Sequence, residues 1–320
     1  MSHAHKDNIG GNSPVSAKDT LRINHNHMLK QYYDGVDSST SNPHFNVRQE
    51  PLFTSDGAPT EYWCNRREDN GYVVGQVSDT YSIIQNTDFI DKTQAAFSLN
   101  GLSGWTENHN VWKHGARMST TFTFGNYVRK VKANSMQKGD DVALRISLYN
   151  SHDGSSRATF RVGMLRLVCT NGLTTLQNEI SASRKHKGDI DLEFLSLGVN
   201  QAVQQFEKSL VLFGNLADRS IKQREGEVIL QSLVHRKVMS ERFYKEVSQV
   251  WQRPTFAEDA GRNMYNLYNA ITERISRHYD DRGQVEVSNR INNGALESIS
   301  RLAFNEELFA HTLKNTPALN

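Results

Sequence analysis

The sequence is poor in the features that mark secreted, membrane-spanning or nucleotide-hydrolysing proteins. Its two cysteines, Cys64 and Cys169, lie far apart and form no Cys-x-x-Cys pair. That excludes a disulfide framework and a thiolate metal site, and both read as thiols of a reducing compartment. No run of eighteen apolar residues occurs, so no transmembrane helix is expected and no membrane partner with it. The opening stretch Met1–Asp7 lacks the apolar core of a signal peptide, and the chain is expected to stay where it is made.

Catalytic motifs are missing as well. There is no Gly-x-x-x-x-Gly-Lys-Ser/Thr or Gly-x-Gly-x-x-Gly loop to cradle phosphates. His-Glu-x-x-His and Gly-x-Ser-x-Gly are also absent. No catalytic residue, metal ligand set or cofactor is therefore assigned, and the expectation is a protein that is not an enzyme. Five of the twelve histidines fall in residues 1–60, without zinc-type spacing, and read as solvated polar residues. His152 and Cys169 are the residue types of a thiol–imidazole pair. They sit at opposite ends of one strand, about 55 Å of extended chain apart at ~3.3 Å per residue, so both are assigned to structure.

What the sequence does have is an uneven charge. The net value of +2 hides 8 Lys/Arg against 12 Asp/Glu in residues 1–104, 13 against 6 in residues 105–190, and 16 against 17 in residues 191–320. The positive excess thus lies in one central stretch. It matters there because a binding field acts over roughly a Debye length, ~8 Å.

Four of the six prolines and much of the Gly and Ser-Ser-Thr-Ser character lie in residues 1–60. Residues 1–62 read as a flexible arm with one short helix near 21–33, and order is expected from Trp63. Tyr72–Val77 and Thr80–Gln85 read as one strand or two. A helix over 87–99, capped by Asn86 or Thr87, presents Phe89, Ile90, Thr93, Ala96 and Phe97 on one face and stops at Asn100-Gly101. Arg117–Gly125 and Tyr127–Ala133 are strands or one continued strand. Val142, Leu144, Ile146 and Leu148 alternate with Ala143, Arg145, Ser147 and Tyr149, the period of a half-buried strand. Asn150–Ser155 is a turn by composition. The returning strand, Ala158–Val168, buries Ala158, Phe160, Val162 and Met164 and turns out Thr159 and Arg161. Gly163 is expected to form a bulge that shifts the alternation and leaves Arg166 among Leu165, Leu167 and Val168. Helical spacing recurs over 192–206, 228–238 and 264–275, with breaks near Pro254 and at Asp280–Asn293. The fold class is α+β, an antiparallel β-sheet core with a helix before it and a mainly helical C-terminal half. The divisions are 1–62, the arm; 63–280, the α+β domain; and 281–320, a C-terminal helical extension.

The basic stretch carries the functional signal. Arg129, Lys130, Lys132, Arg145, Arg157 and Arg161 lie on neighbouring strands. Like charges across a sheet repel unless an anion sits over them. Tyr149 and Trp105 are the candidate stacking platforms for bases. A solvated face paired with acids of residues 1–104 would account for the same composition.

Asn150-Ser151-His152-Asp153-Gly154-Ser155, with Leu165–Leu173, resembles the signature of a phage and plasmid family called domain of unknown function 932. Ser78-Asp79-x-Tyr81 and Leu267–Glu273 look like its flanking motifs, and the resemblance covers about residues 72–280. Gly172 stands where the family usually has Thr. The resemblance implies a mobile-element setting, a nucleic-acid-related task and the cytoplasm of a host cell, without a settled activity. The element order is similar, more loosely, to the core of Rad-type single-strand annealing proteins, which bind DNA without ATP. The functional expectation is a phage-encoded single-stranded DNA-binding protein, extending to strand annealing, that forms homo-oligomers. The alternative is a non-enzymatic interaction protein, a virion component or an inhibitor of a host defence enzyme.

Overall fold

Two antiparallel sheets and a helical C-terminal half make up the α+β fold of the computed structural model, which describes residues 42–134, 139–167, 172–174, 191–279 and 284–319. The three-stranded sheet runs β1 (Val47–Phe53), β2 (Pro59–Arg67) and β3 (Val73–Ser78), in that order. Strands β1 and the start of β2 fall where a flexible arm was expected. Their prolines explain the misreading. Pro51 sits in an edge strand and Pro59 is the first residue of β2, two places where a sheet tolerates a missing donor. The helix expected near 21–33 lies outside the described residues. Residues 80–85 join no ladder, so the strand expected there is not formed.

Helix α1 (Asn86–Leu99) buries Phe89, Ile90, Thr93, Ala96 and Phe97, as its periodicity predicts. Its expected N-cap is not used. Gln85 holds that position without a side-chain bond, and the Asn86 side chain is engaged elsewhere, its Oδ1 accepting from Asn150 Nδ2 at 2.8 Å and its Nδ2 donating to the Pro43 carbonyl at 3.2 Å. The stop is as expected, with Gly101 at φ +70° and the Leu102 amide donating to the Phe97 carbonyl at 3.0 Å.

The five-stranded sheet runs β4 (Trp105–Trp112), β5 (Arg117–Val131), β6 (Asp140–Ser151), β7 (Thr159–Arg166) and β8 (Gly172–Thr174), again in chain order. Strand β4 has no apolar alternation through Thr106–Asn110, since it is an edge strand with those residues mostly exposed. Strand β5 is continuous, with a register irregularity between Phe124 and Val128. The β6–β7 pairing runs unbroken from Val142↔Arg166 to Tyr149↔Thr159. No bulge forms at Gly163. Arg166 therefore keeps the phase of Val162 and Met164 and points to the apolar side, correcting the expectation.

That apolar side carries Phe122, Phe124, Leu144, Ile146, Leu148, Phe160, Val162 and Met164, all buried in one core with α1 and the C-terminal helices. Those helices are α2 (Leu192–Asp218), α3 (Gln223–His235), α4 (Glu241–Gln252), α5 (Met264–His278), α6 (Val285–Phe304) and α7 (Glu306–Asn315). Asp191, Ser240 and Asn263 cap α2, α4 and α5 by accepting backbone N–H bonds. Helix α4 ends at Gln252, just ahead of Pro254, as the break there predicts. The break expected over Asp280–Asn293 is instead occupied from Val285 onward by α6. Its polar residues misled because several of them are buried inside the core. Ser288 and Asn292 have no exposed surface, and the Tyr268 hydroxyl donates to Asn292 Oδ1 at 2.6 Å.

Candidate nucleic-acid interface

In an antiparallel pair, residues directly opposite each other share a face. The register Thr123↔Arg145↔Gly163, Thr121↔Ser147↔Arg161 and Ser119↔Tyr149↔Thr159 therefore defines the side of the five-stranded sheet turned away from the apolar core. Asn108 and Asn110 of β4 extend it through their pairing with Thr121 and Ser119. This outer face is built of hydroxyls, amides, two arginines and one tyrosine. Thr121 Oγ1 and Ser147 Oγ lie 3.2 Å apart and bond to each other.

The two arginines are diagonal neighbours on adjacent strands, a separation of about 7–8 Å between α-carbons. Arg161 is only 8% exposed, and among the described residues it has no ion pair or side-chain hydrogen bond. Arg145 is half-buried, and its Nε is enclosed with no hydrogen-bond partner. Enclosing a cation without an acid carries an effective penalty of several kcal/mol, on the order of that expected for any buried ion. An anion laid over both guanidinium groups would remove it.

The remaining predicted residues divide. Lys130 is on the same face, paired with Asp141 across β5–β6 at 2.8 Å. Tyr149 lies half-buried beside Ser119 and Thr159. Arg157 is exposed just ahead of β7 and is engaged in an interaction within the chain. Lys132 is exposed just past the end of β5. Arg129 is not with them. It pairs with Val142 in register, which puts it on the helix-facing side, where its Nε donates to Glu207 Oε1 of α2 at 3.0 Å. There its guanidinium also stacks on Tyr127, 4.3 Å from the ring centre. Burial and the hydrogen bond to Glu207 raise the Tyr127 pKa. Trp105 is on that side too, edge-to-face with Phe97 and Phe124 at 5.4 and 6.0 Å, its indole N–H bonded to Glu107. It packs α1 against the sheet and does not join the outer face. The acids that pair Lys130 and Arg129, Asp141 and Glu207, come from β6 and α2 and not from residues 1–104.

Residues 150–155 close the β6–β7 hairpin as expected, but only Gly154 and Ser155 are exposed, while Asn150, Ser151 and His152 are buried and not a free tip. Asn150 Nδ2 donates to the Ile84 carbonyl and to Asn86 Oδ1, both at 2.8 Å. The Tyr81 hydroxyl donates to the Ser151 carbonyl at 2.6 Å, and burial raises its pKa. Asn65 Nδ2 donates to the His152 carbonyl at 2.7 Å, and Arg117 pairs with Asp153 at 3.1 Å. Gly75 of β3 makes the approach possible, since a Cβ there would lie 2.2 Å from the His152 carbonyl oxygen. The turn thus pins the small sheet to the large one. His152 has no exposed surface, and Cys169 lies outside the described residues.

The other end of the hairpin is also structural. Arg166, 3% exposed, pairs with Asp140 at the start of β6 and with Asp259 at 3.0 Å. The Tyr265 hydroxyl donates to Asp140 Oδ2 at 2.9 Å, and Asn269 Nδ2 donates to Asp259 Oδ1 at 3.0 Å. Burial alone would lower the Arg166 pKa, but Tyr265, Asp259 and Asp140 together raise it. The two carboxylates that Arg166 meets join the sheet to α5.

Among the described residues no helix is long and apolar enough to cross a membrane, and no group of three or more His, Cys, Asp or Glu is placed to hold a metal. No solved structure matches the chain. Two of the stretches that carry the family resemblance meet, Tyr81 with the 150–155 turn, and Arg166 lies near Tyr265, just ahead of the Leu267–Glu273 stretch. A family model described as "Domain of unknown function (DUF932)" matches residues 73–296, from β3 into α6, and the chain belongs to that family.

Proposed function

We propose that the chain is a non-enzymatic, phage-encoded protein that binds single-stranded DNA across the outer face of its five-stranded sheet, in the cytoplasm of a host cell. One observation carries the reading: Arg145 and Arg161 are diagonal neighbours on a polar face, with no acid among the described residues to pair them. Their spacing suits neighbouring phosphates of an extended strand. Tyr149 supplies a ring for stacking, and the half-buried Thr123 and Thr159 supply sugar or phosphate hydrogen bonds. Strand annealing and homo-oligomer formation are extensions of the same proposal.

Titrating a fluorescent oligonucleotide at about 50 mM salt tests it, because phosphate neutralisation dominates affinity at low salt. Micromolar protein is expected to raise the anisotropy, and added salt to reverse it. No change in anisotropy would end the DNA reading.

The alternative, an interaction protein, is favoured by a different feature. Leu99, Phe194 and Leu197 are exposed where α1 ends against the start of α2, tied there by the Asn100 amide bonded to Ser196. A chain that fails to bind nucleic acid and associates through this corner would support it.

A further inference from the structure

The pattern of pairing on the outer face sets how much of a strand it can hold, given the DNA-binding reading above. Moving along the face from the buried turn, Arg117 is paired with Asp153, whose side chain is 5% exposed and whose Oδ1 also accepts the Ser155 amide. That pair is part of the turn and cannot open without dismantling it. Arg145, half-buried, and Arg161, nearly inaccessible, follow, with no acid paired to either among the described residues. At the far end stands Lys130, held at 2.8 Å by Asp141, with side chains 39% and 48% exposed. An exposed lysine–carboxylate pair of this kind contributes about 0–1 kcal/mol and exchanges readily with water. Asp141 nevertheless places a full negative charge at that end of the face, directly in the way of a phosphate.

We infer that the face grips two phosphates, through Arg145 and Arg161, and that Asp141 ends the site by holding Lys130 and repelling the next phosphate. Asp141 is then a specificity-determining residue. It keeps the contact local, so that a single strand is held at one point and not tracked along the whole basic hairpin.

The test is the salt dependence of oligonucleotide binding by the wild type and by Asp141→Asn, a replacement that keeps the shape and the strand backbone. Each neutralised phosphate on a single strand contributes about −0.7 to the slope of log K against log salt. The wild type is expected to give a slope near −1.4. Asp141→Asn, by freeing Lys130, is expected to bind several-fold tighter and to steepen the slope to about −2.1. A wild-type slope of about −2.1 or steeper would overturn the inference while supporting DNA binding, since more cations would then be engaged. So would an Asp141→Asn protein with unchanged affinity and slope. If the wild type binds no oligonucleotide, the DNA reading fails and takes this inference with it.

Discussion

Arg161 and Arg166 sit five positions apart on one strand, both nearly inaccessible, and face opposite sides of the sheet. On the inner side Arg166 meets Asp140 and Asp259 and lies near the Tyr265 ring. On the outer side Arg161 meets hydroxyls and another arginine. The inner cation has its anions built into the chain, so its role ends with the fold. The outer one has none among the described residues, and the proposed DNA site rests on that difference. A buried arginine alone says nothing about function; the presence or absence of an acid beside it does.

The largest effect is expected on the inner side. Arg166→Ala leaves two carboxylates enclosed without a counter-charge and should destabilise by about 3–5 kcal/mol. Thermal unfolding followed by circular dichroism would measure it, and a melting temperature near the wild type's would remove Arg166 from the scaffold. Gly75→Ala comes next, because its Cβ would collide with the turn backbone at His152 and Asp153. A loss of about 1–3 kcal/mol is expected, as for overpacking elsewhere, read from the denaturant midpoint. Little change would mean that the turn does not pin the two sheets as tightly as its contacts suggest. Smallest of all is Arg129→Ala. Its exposed pair with Glu207 is on the wrong side for the ligand, so stability should change by no more than about 1 kcal/mol and DNA affinity by less than about twofold. A large loss of affinity there would extend the site around the sheet and weaken the contrast between its faces.

Part of this was legible in the sequence. The alternation of Val142–Leu148 against Arg145 and Tyr149 marked both faces of β6, and the inward set is buried as read. The outward phase of Arg161 was read correctly as well. What hid Arg166 was Gly163: a glycine within a strand often marks a bulge, and here it only sits opposite Arg145. Periodicity also could not separate Arg129 from Lys130, because the irregularity between Phe124 and Val128 resets which residues face the helices. Trp105 looked like a stacking platform because an exposed and a half-packed tryptophan read alike in sequence. The small sheet was masked by its prolines, and the clamp at residues 150–155 depends on contacts with Asn65, Tyr81 and Ile84, distant in the chain. Pairing partners of this kind are set by tertiary structure. They decide which of several plausible basic residues are free to bind.

The most direct test of the account replaces both outer arginines by residues that keep their stems and lose their charge, Arg145→Met with Arg161→Met. Affinity for a labelled single-stranded oligonucleotide at about 50 mM salt should fall by at least about tenfold, since each charge-assisted bond contributes about 1.5–3 kcal/mol. The melting temperature without DNA should hold or rise, because two uncompensated charges have been removed. Retained DNA affinity together with a lowered melting temperature would contradict the account and make both faces of the sheet structural.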